Sequence, residues 1–470
     1  MQKQSDRAAT TLRQSSVPVE TSLQYFCRAL ETKLTIPWRK ARSESALSFR
    51  GRFAWTVALA TTSLAWFAAV YYFRLWWVLG VSAMPLSFSD WHAVVAASDC
   101  ADLGYNVYRQ NPCDVSRLIH EYGAIWLKLG RLGLTRENYW GIGLSISTSF
   151  LVAAALVLRP KTVGQFALCL AAVCSPAVML GVERANVDLL IFTLLLPMTL
   201  LLCRNERSAR TLAMALLFLL TVLKLYPAVA AASVFWTSAS RRSIFATIGL
   251  FVLTVATWVV LDRDNLALVL RVFERPNVLL PAFGSRLLFD AFRSLHLWRL
   301  TFLSSIWAGT IAFILVLLVS WHCAYRMPRH QPSNTAEWRT EYVRFAAGTA
   351  IFVFAFAVTT NYDYRYVFVL FSMPLLLRYL EHTLQSRSWE RGIAATALGV
   401  MVVALWVNGL LALIFFTARL AVPSQISVML FAGKHLLTWV LISLLIILGS
   451  TMLFGRLKEL GQASAESPHP

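Results

Sequence analysis

Long apolar runs separated by short polar segments make up most of the chain beyond residue 52. A membrane-spanning helix needs about 20 predominantly apolar residues, and several of these runs approach that length. The pattern therefore predicts an all-α polytopic membrane protein with a bundle of about ten to twelve transmembrane helices. The apolar segments are Phe53–Phe73, Gly141–Leu158, Val163–Val182, Leu189–Cys203, Thr211–Trp236, Ile244–Leu261, Phe302–Ser320, Arg344–Thr360, Tyr366–Leu380, Ile393–Ala418 and Val428–Leu453.

The positions of the basic residues predict which side of the membrane each loop faces. Cytoplasmic loops are enriched in Lys and Arg, and the segment 1–52 contains ten of them. We therefore predict a basic, partly disordered cytoplasmic tail at 1–52, a membrane-embedded domain at 53–455 and a second cytoplasmic tail at 456–470. Two long loops, 84–140 and 262–301, then lie on the outer face. The expected location is a bacterial inner (plasma) membrane, with both termini in the cytoplasm.

The first outer loop is the longest polar interruption early in the chain. Its first charged residue is Asp90, near its start. Two stretches within it, His92–Tyr108 and Ser116–Leu132, have mixed helical patterning, which predicts interfacial helices rather than an extended coil.

The segment Thr211–Trp236 is about one membrane length long but contains Lys224, Tyr226 and Pro227 near its middle. Both of its flanks are basic, so a single crossing would leave one basic cluster on the outer face. Two short helices broken near the proline keep both clusters inside, and broken helices at membrane depth line cavities. We therefore predict a broken hairpin with Lys224 near its tip. The alternative is a single span with a snorkelling lysine.

Composition agrees with the membrane class. The 470 residues are 57% hydrophobic and only 14% charged, with a mean hydropathy of +0.59, whereas soluble domains carry about 25% charged residues. The net charge of +19 lies at the ends of apolar runs, where it orients helices and contacts anionic lipid. Because no basic stripe with interleaved aromatic residues is present, membrane lipids are predicted partners and nucleic acid is not.

The cysteines indicate a disulfide at one place only. Most of the seven lie in or beside apolar runs, where they act as small packing residues. Cys100 and Cys113 both lie in the first outer loop, so a disulfide between them is expected if that loop faces an oxidising compartment. No Cys or His spacing is typical of zinc, and no carboxylate cluster requires a metal. We therefore predict neither a metal ion nor a cofactor.

Asp90 is the best candidate for a catalytic base. It lies where the first span emerges, so a rigid element sets its position. An enzyme acting on a lipid-linked phosphate substrate needs such a carboxylate, together with fixed cations that hold the leaving phosphate. The alternative is an ordinary interfacial carboxylate at the end of a helix.

Further polar residues fall on the same predicted face. Arg184, Asn186 and Asp188 lie in a short turn between two spans, and they indicate either substrate binding or a salt bridge with a helix cap. Lys224 lies deep in an apolar segment, where a lysine needs a partner. Arg365 lies in a later outer turn and is a candidate phosphate ligand; its alternative partner is the nearby Asp363.

Three motifs together resemble glycosyltransferase family 87. This branch of the GT-C superfamily includes polyprenol-phosphate-mannose-dependent mannosyltransferases. The first motif is an aspartate after the first helix followed by a Gly-x-x-x-Tyr element, here Asp90 with Gly104 and Tyr108. The others are the turn Arg184–Asp188 and the break Lys224–Pro227.

The resemblance covers roughly residues 53–380 and implies a GT-C-like fold with a metal-independent, inverting sugar transfer. The implied donor is a polyprenyl-phosphate hexose (mannose-like) or pentose, and the implied acceptor is a lipid or glycan on the outer face. Asp90 would deprotonate the acceptor hydroxyl. The residues implied to bind substrate are Lys224, Arg184, Arg365, Asn186, Asp188, Tyr226 and Tyr108. The chain departs from the family pattern at Ala185, where glycine is expected, and in the cysteine-containing loop.

Two other functions remain open at the level of sequence. A transporter or flippase of lipid-linked glycans would share the broken helices and the outer cations, but it should show a repeated half, which we do not find. A polymerase or ligase of lipid-linked glycans would use outer arginines and histidines more than an aspartate after the first helix.

Overall fold

The computed structural model describes residues 49–237, 240–264, 266–267, 282–295, 302–327, 336–358, 361–381, 388–417 and 424–465. Within this part of the chain, seven helices are long and apolar enough to cross a membrane, or eight if one bent pair is counted as a span. The protein is therefore an all-α polytopic membrane protein, and the predicted fold class is confirmed.

Within the described residues, the helices alternate with short 3-10 helices and two very short strands. In the first half of the chain the helices are α1 (Phe49–Tyr72), α2 (Ser89–Asp102), α3 (Tyr139–Leu158), α4 (Val163–Val173), α5 (Pro176–Arg184), α6 (Val187–Leu202), α7 (Arg207–Leu223) and α8 (Arg241–Leu261). In the second half they are α9 (Leu287–Ser294), α10 (Phe302–Arg326), α11 (Ala336–Val358), α12 (Met373–Glu381), α13 (Ser388–Thr417) and α14 (Ser424–Ala465). The 3-10 helices cover Leu75–Trp77, Ala124–Leu132, Tyr226–Trp236 and Asp363–Phe371, and β1 (Ala282–Phe283) pairs antiparallel with β2 (Asn361–Tyr362).

The described part of the chain has fewer membrane-length apolar helices than the predicted number of about ten to twelve spans. Helix α6 has only 16 residues, and the predicted span Tyr366–Leu380 is divided between a 3-10 helix and α12. Helices α4 and α5 meet at a bend of 51°, where Pro176 begins the second helix and Ser175 caps it. The apolar runs are present, but breaks within them shorten the helices.

The segment Thr211–Trp236 folds as a broken hairpin. Lys224 ends α7 in an extended conformation, with φ −159° and ψ 129°, and the 3-10 helix Tyr226–Trp236 follows. Arg210 lies near the start of α7, and Ser243 lies near the start of α8. Arg210 Nη1 donates to Ser243 Oγ at 3.0 Å. The chain therefore leaves one end of the bundle, turns at Lys224 and returns to the same end. The alternative of a single span is wrong.

Polar contacts gather at both ends of the bundle. At one end, which we call the basic end, Glu337 at the start of α11 pairs with Arg52 at 3.0 Å and with Arg378 at 2.6 Å. Lys161 and Glu381 also pair there, at 3.0 Å. Helix α11 runs from the basic end to the opposite end, where the turn beginning at Asn361 lies. We call this opposite end the site end.

Helix α2 starts the first long loop at the site end and is shorter than the predicted helix His92–Tyr108. It stops at Asp102 because Gly104 adopts a left-handed conformation with φ +86°. Tyr105 N donates to Cys100 O and Gly104 N donates to Ala101 O, both at 3.0 Å, which is the Schellman pattern of helix termination.

Two further contacts hold α2 against its loop. Cys100 and Cys113 form a disulfide, and His92 Nδ1 lies 2.8 Å from Asp114 Oδ1. The predicted helix Ser116–Leu132 is present only as the 3-10 helix Ala124–Leu132, which packs against α2. The loop is therefore a folded layer over the site end.

Candidate active site

Asp90 is the second residue of α2 and lies in its first turn, where a carboxylate interacts favourably with the helix dipole. The residue before the helix, Phe88, has a left-handed backbone with φ 58°, which costs roughly 1–2 kcal/mol for a non-glycine residue. Its ring is fully buried and packs closely on Gly143, where an added Cβ would lie 2.7 Å from Phe88 Cγ. Phe88 N also donates to Glu183 O at 2.9 Å. These contacts fix the start of the helix and therefore the position of Asp90.

The Asp90 carboxylate faces the turn between α5 and α6. Asn186 Nδ2 donates to Asp90 Oδ2 at 2.5 Å, and Arg184 Nη1 lies 4.0 Å from Asp90 Oδ1. Burial raises the pKa of Asp90; the charges of Arg184 and Lys224 and the hydrogen bond from Asn186 oppose this shift without cancelling it. A carboxylate with a raised pKa is the kind of group that serves as a general base.

The turn Arg184–Asp188 contains the helix cap that the sequence offered as one of two roles, and substrate binding by this turn stays a prediction. Asn186 caps α6, because its side-chain oxygen accepts from Asp188 N at 2.9 Å, while its amide nitrogen binds Asp90. Ala185 has a left-handed backbone, with φ 45° and ψ 48°. Glycine adopts that conformation most easily, so the alanine at this position is strained.

Asp188 is fully buried and is the centre of the cationic part of the site. Its Oδ1 accepts from Lys224 Nζ at 2.5 Å and from Tyr226 Oη at 2.7 Å. Its Oδ2 lies 3.4 Å from Arg365 Nε. The structure thus pairs Arg365 with Asp188, whereas Asp363 pairs with Lys434 at 2.5 Å.

Each of the three cations also lies against a tyrosine ring. Arg184 lies 5.2 Å from the centre of the Tyr362 ring, Lys224 lies 5.2 Å from that of Tyr122, and Arg365 lies 4.8 Å from that of Tyr226. Cation–π contacts of this kind hold a cation in place without adding negative charge. Sequence reasoning missed Tyr122 and Tyr362. The turn that contains Tyr362 was recognised, but no sequence signal links Tyr122 to Lys224.

Tyr108 lies beside this cluster and contacts it through Tyr122. Its hydroxyl donates to the backbone oxygen of Tyr122 at 3.2 Å, and burial raises its pKa to about 12. The neighbouring His120 is buried, which lowers its pKa to about 4 and keeps the ring neutral. Both residues support the position of Tyr122 and do not contact Asp90 in the described structure.

The structure offers no metal site in the described part of the chain, where no group of three or more His, Cys, Asp or Glu side chains is placed to hold an ion. Of the arginines in the second outer loop, Arg286 and Arg293 pair with Asp290, at 3.1 Å and 3.4 Å. The site end therefore combines one hydrogen-bonded carboxylate with three cations and a buried counter-charge.

No family model, curated protein or solved structure matches the chain. The resemblance to glycosyltransferase family 87 thus stays a prediction from motifs, and a functional assignment depends on the geometry of the site.

Proposed function

We propose that this protein is a membrane glycosyltransferase that transfers a sugar from a polyprenyl-phosphate donor to a lipid or glycan acceptor. The sugar is a mannose-like hexose or a pentose, and the transfer inverts the anomeric configuration without a metal. One observation carries the proposal: Asp90 lies in the same cluster as Arg184, Lys224 and Arg365, at one end of a membrane bundle.

In the proposed reaction Asp90 acts as the general base. Its carboxylate takes the proton of an acceptor hydroxyl as the hydroxyl oxygen forms a bond to the anomeric carbon. The bond between that carbon and the phosphate oxygen breaks on the opposite side, and its electron pair stays on the phosphate. A positioned base contributes about 10²–10⁴-fold to such a rate. Asn186 orients the carboxylate for this step through its hydrogen bond.

The three cations stabilise the phosphate that leaves. Arg184, Lys224 and Arg365 carry three positive charges, against two carboxylates at Asp90 and Asp188. Glu183 Oε2 also lies 4.0 Å from Arg184 Nε. Fixed cations in a site shielded from water stabilise developing charge more strongly than they would in water. Three fixed cations in one cluster thus favour a phosphate-linked donor.

The site end would face the outside of the cell. The opposite, basic end carries Arg52, Lys161 and Arg378, and basic residues favour the cytoplasmic side. The disulfide Cys100–Cys113 at the site end is of a kind that persists in an oxidising compartment. These two observations support an outward-facing site with cytoplasmic termini, and the membrane that we propose is a bacterial inner membrane.

A panel of donors tests the proposal. Purified protein in lipid vesicles is incubated with polyprenyl-phosphate mannose, other polyprenyl-phosphate hexoses and a polyprenyl-phosphate pentose, together with lipid and glycan acceptors. We expect transfer from at least one donor, with inverted configuration and no loss of rate in a metal chelator. Absence of transfer from every donor would contradict the proposal.

The broken hairpin at Lys224 favours one alternative, a transporter or flippase of lipid-linked glycans, because such proteins place broken helices at their substrate sites. The same vesicles separate the two functions. A flippase moves a labelled lipid-linked glycan between leaflets without changing its covalent structure, whereas a transferase yields free polyprenyl phosphate and a larger acceptor. A polymerase or ligase would require a longer lipid-linked glycan as its donor.

A further inference from the structure

The 3-10 helix Asp363–Phe371 presents different faces to two parts of the molecule. A 3-10 helix has three residues per turn, so residues three apart lie on the same face. Arg365 and Phe368 share one face, and this face meets the site. Arg365 Nε lies 3.4 Å from Asp188 Oδ2, and the Phe368 ring lies 5.7 Å from the ring of Tyr226.

The face that contains Asp363 and Tyr366 meets α14, the last helix. Asp363 Oδ2 accepts from Lys434 Nζ at 2.5 Å, and Tyr366 Oη lies 2.6 Å from Thr438 Oγ1. Lys434 and Thr438 are four residues apart, so they are neighbours on one face of α14. We call these two contacts the α14 clasp.

The clasp is buried and joins several elements. The side chains of Lys434 and Asp363 are each only 1% exposed. Lys434 Nζ also donates to Ala282 O in β1 at 3.0 Å, and Asp363 accepts a hydrogen bond from Asn408 in α13. A buried ion pair is expensive to form, and apolar residues of similar size often give equal or greater stability. The pair is therefore better explained by a need for one fixed geometry than by stability.

We propose that Lys434 and Thr438 are positioning residues, which fix the rotation of the 3-10 helix and so direct Arg365 toward Asp188 and the donor phosphate. The effect on the phosphate depends on the proposed function, but the effect on the 3-10 helix does not. Lys434 also neutralises Asp363, which would otherwise be a buried carboxylate two residues from Arg365. Without the clasp, the segment can turn and Arg365 leaves the site.

Hydrogen exchange tests the clasp without reference to any reaction. Lys434→Met and Thr438→Val should each accelerate exchange at the amides of residues 361–371, and leave those of α6 unchanged. Thr451→Val is the matched control, because Thr451 is a buried threonine on the same helix that donates to its own helix at Ile447 O. The double variant Lys434→Met/Asp363→Asn removes both charges of the ion pair. We expect it to fold even if one unpaired buried charge prevents folding of Lys434→Met, because no unpaired charge is left in the interior.

A double-mutant cycle tests whether the clasp acts through Arg365. Thr438→Val should lower kcat/KM by about fivefold, as expected for one lost hydrogen bond. Lys434→Met should lower it by about 10- to 100-fold, as expected for a displaced binding group. In an Arg365→Gln background, both substitutions should have almost no further effect, because groups that act as a unit are not additive.

The outcomes separate this inference from the proposed function. Unchanged exchange at 361–371 in Lys434→Met and Thr438→Val overturns the positioning role, whether or not the wild-type protein transfers sugar. Additive losses of kcat/KM with Arg365→Gln also overturn it. Absence of sugar transfer by the wild-type protein contradicts the proposed function alone, and the exchange experiment still decides the clasp.

Discussion

The amide nitrogen of Asn186 lies 2.5 Å from the carboxylate of Asp90, although the two residues are 96 positions apart in the chain. The same asparagine caps α6 through its side-chain oxygen. One side chain thus joins the candidate base to the turn that carries Arg184 and Asp188. The geometry of the site depends on this junction, and the first predictions follow from it.

Replacing Asn186 should reduce activity more than stability alone explains. Asn186→Ala removes the cap of α6, which costs about 0.5–2 kcal/mol, and also releases Asp90. Thr162→Ala is the control, because Thr162 caps α4 by accepting from Gln165 N and lies far from Asp90 in the fold. We expect both variants to have a lower Tm, and only Asn186→Ala to lose kcat at temperatures where it is folded. Equal activity in the two variants would show that Asn186 is only a cap.

The pH dependence of transfer should follow the ionisation of Asp90. Because burial raises the pKa of this carboxyl above its usual value, the base is lost as the pH falls through the raised pKa, and kcat/KM should decline on that acidic limb. The pH dependence of folding stability runs in the opposite direction. A raised pKa means that the folded state binds the proton more tightly than the unfolded state. The stabilising contribution of Asp90 is therefore present at low pH and is lost as the pH rises through the raised pKa.

Asp90→Asn should consequently have a Tm equal to or above that of the wild type at neutral pH. This difference in Tm should shrink as the pH is lowered. Thermal unfolding at several pH values measures this difference. A Tm for Asp90→Asn well below that of the wild type at neutral pH would show that the carboxylate stabilises the fold there.

We expect Lys224 to act chiefly by stabilising the phosphate of the donor. Lys224→Met leaves Asp188 with Arg365 and Tyr226, so we expect folded protein that transfers sugar at least about 100-fold more slowly, as when one charge-stabilising group is removed from an active site. Lys161→Met is the control, because Lys161 pairs with Glu381 at the basic end. Transfer kinetics at varied donor concentration compare the two variants. A similar small effect of both would exclude Lys224 from the phosphate site.

We expect the protein to tolerate glycine in place of Ala185. Its left-handed backbone costs roughly 1–2 kcal/mol for a residue with a Cβ, so Ala185→Gly should leave the Tm unchanged or raise it and keep transfer intact. Ala185→Val should lower the Tm, because a β-branched residue is strained in this conformation. A large loss of stability in Ala185→Gly would show that the alanine side chain matters for packing.

The membrane class and the broken hairpin were predicted correctly, because each has a local signal in the sequence. The apolar runs give the membrane class, and the basic flanks on both sides of Thr211–Trp236 give the broken hairpin with Lys224 at its tip. The break itself follows from Pro227. These features depend on composition over short stretches, which a single sequence displays directly.

Contacts between distant parts of the chain could not be predicted in the same way. The sequence suggested Asp363 as the alternative partner of Arg365 because the two are close in the chain, yet a 3-10 helix places them on different faces. Lys434 lies 71 positions from Asp363, and Tyr122 reaches Lys224 only through the folding of the first loop. A buried lysine in an apolar helix is itself a signal, so Lys434 could have been recognised, but its partner could not.

The most direct measurement is sugar transfer by Asp90→Asn compared with the wild type and with Asp102→Asn, an exposed aspartate at the other end of α2. The three proteins are brought to equal folded amounts and assayed with a radiolabelled polyprenyl-phosphate sugar under single-turnover conditions. We expect Asp90→Asn to lose transfer by about 10²–10⁴-fold and Asp102→Asn to retain the wild-type rate. Wild-type transfer by folded Asp90→Asn would contradict the role of Asp90 as the general base.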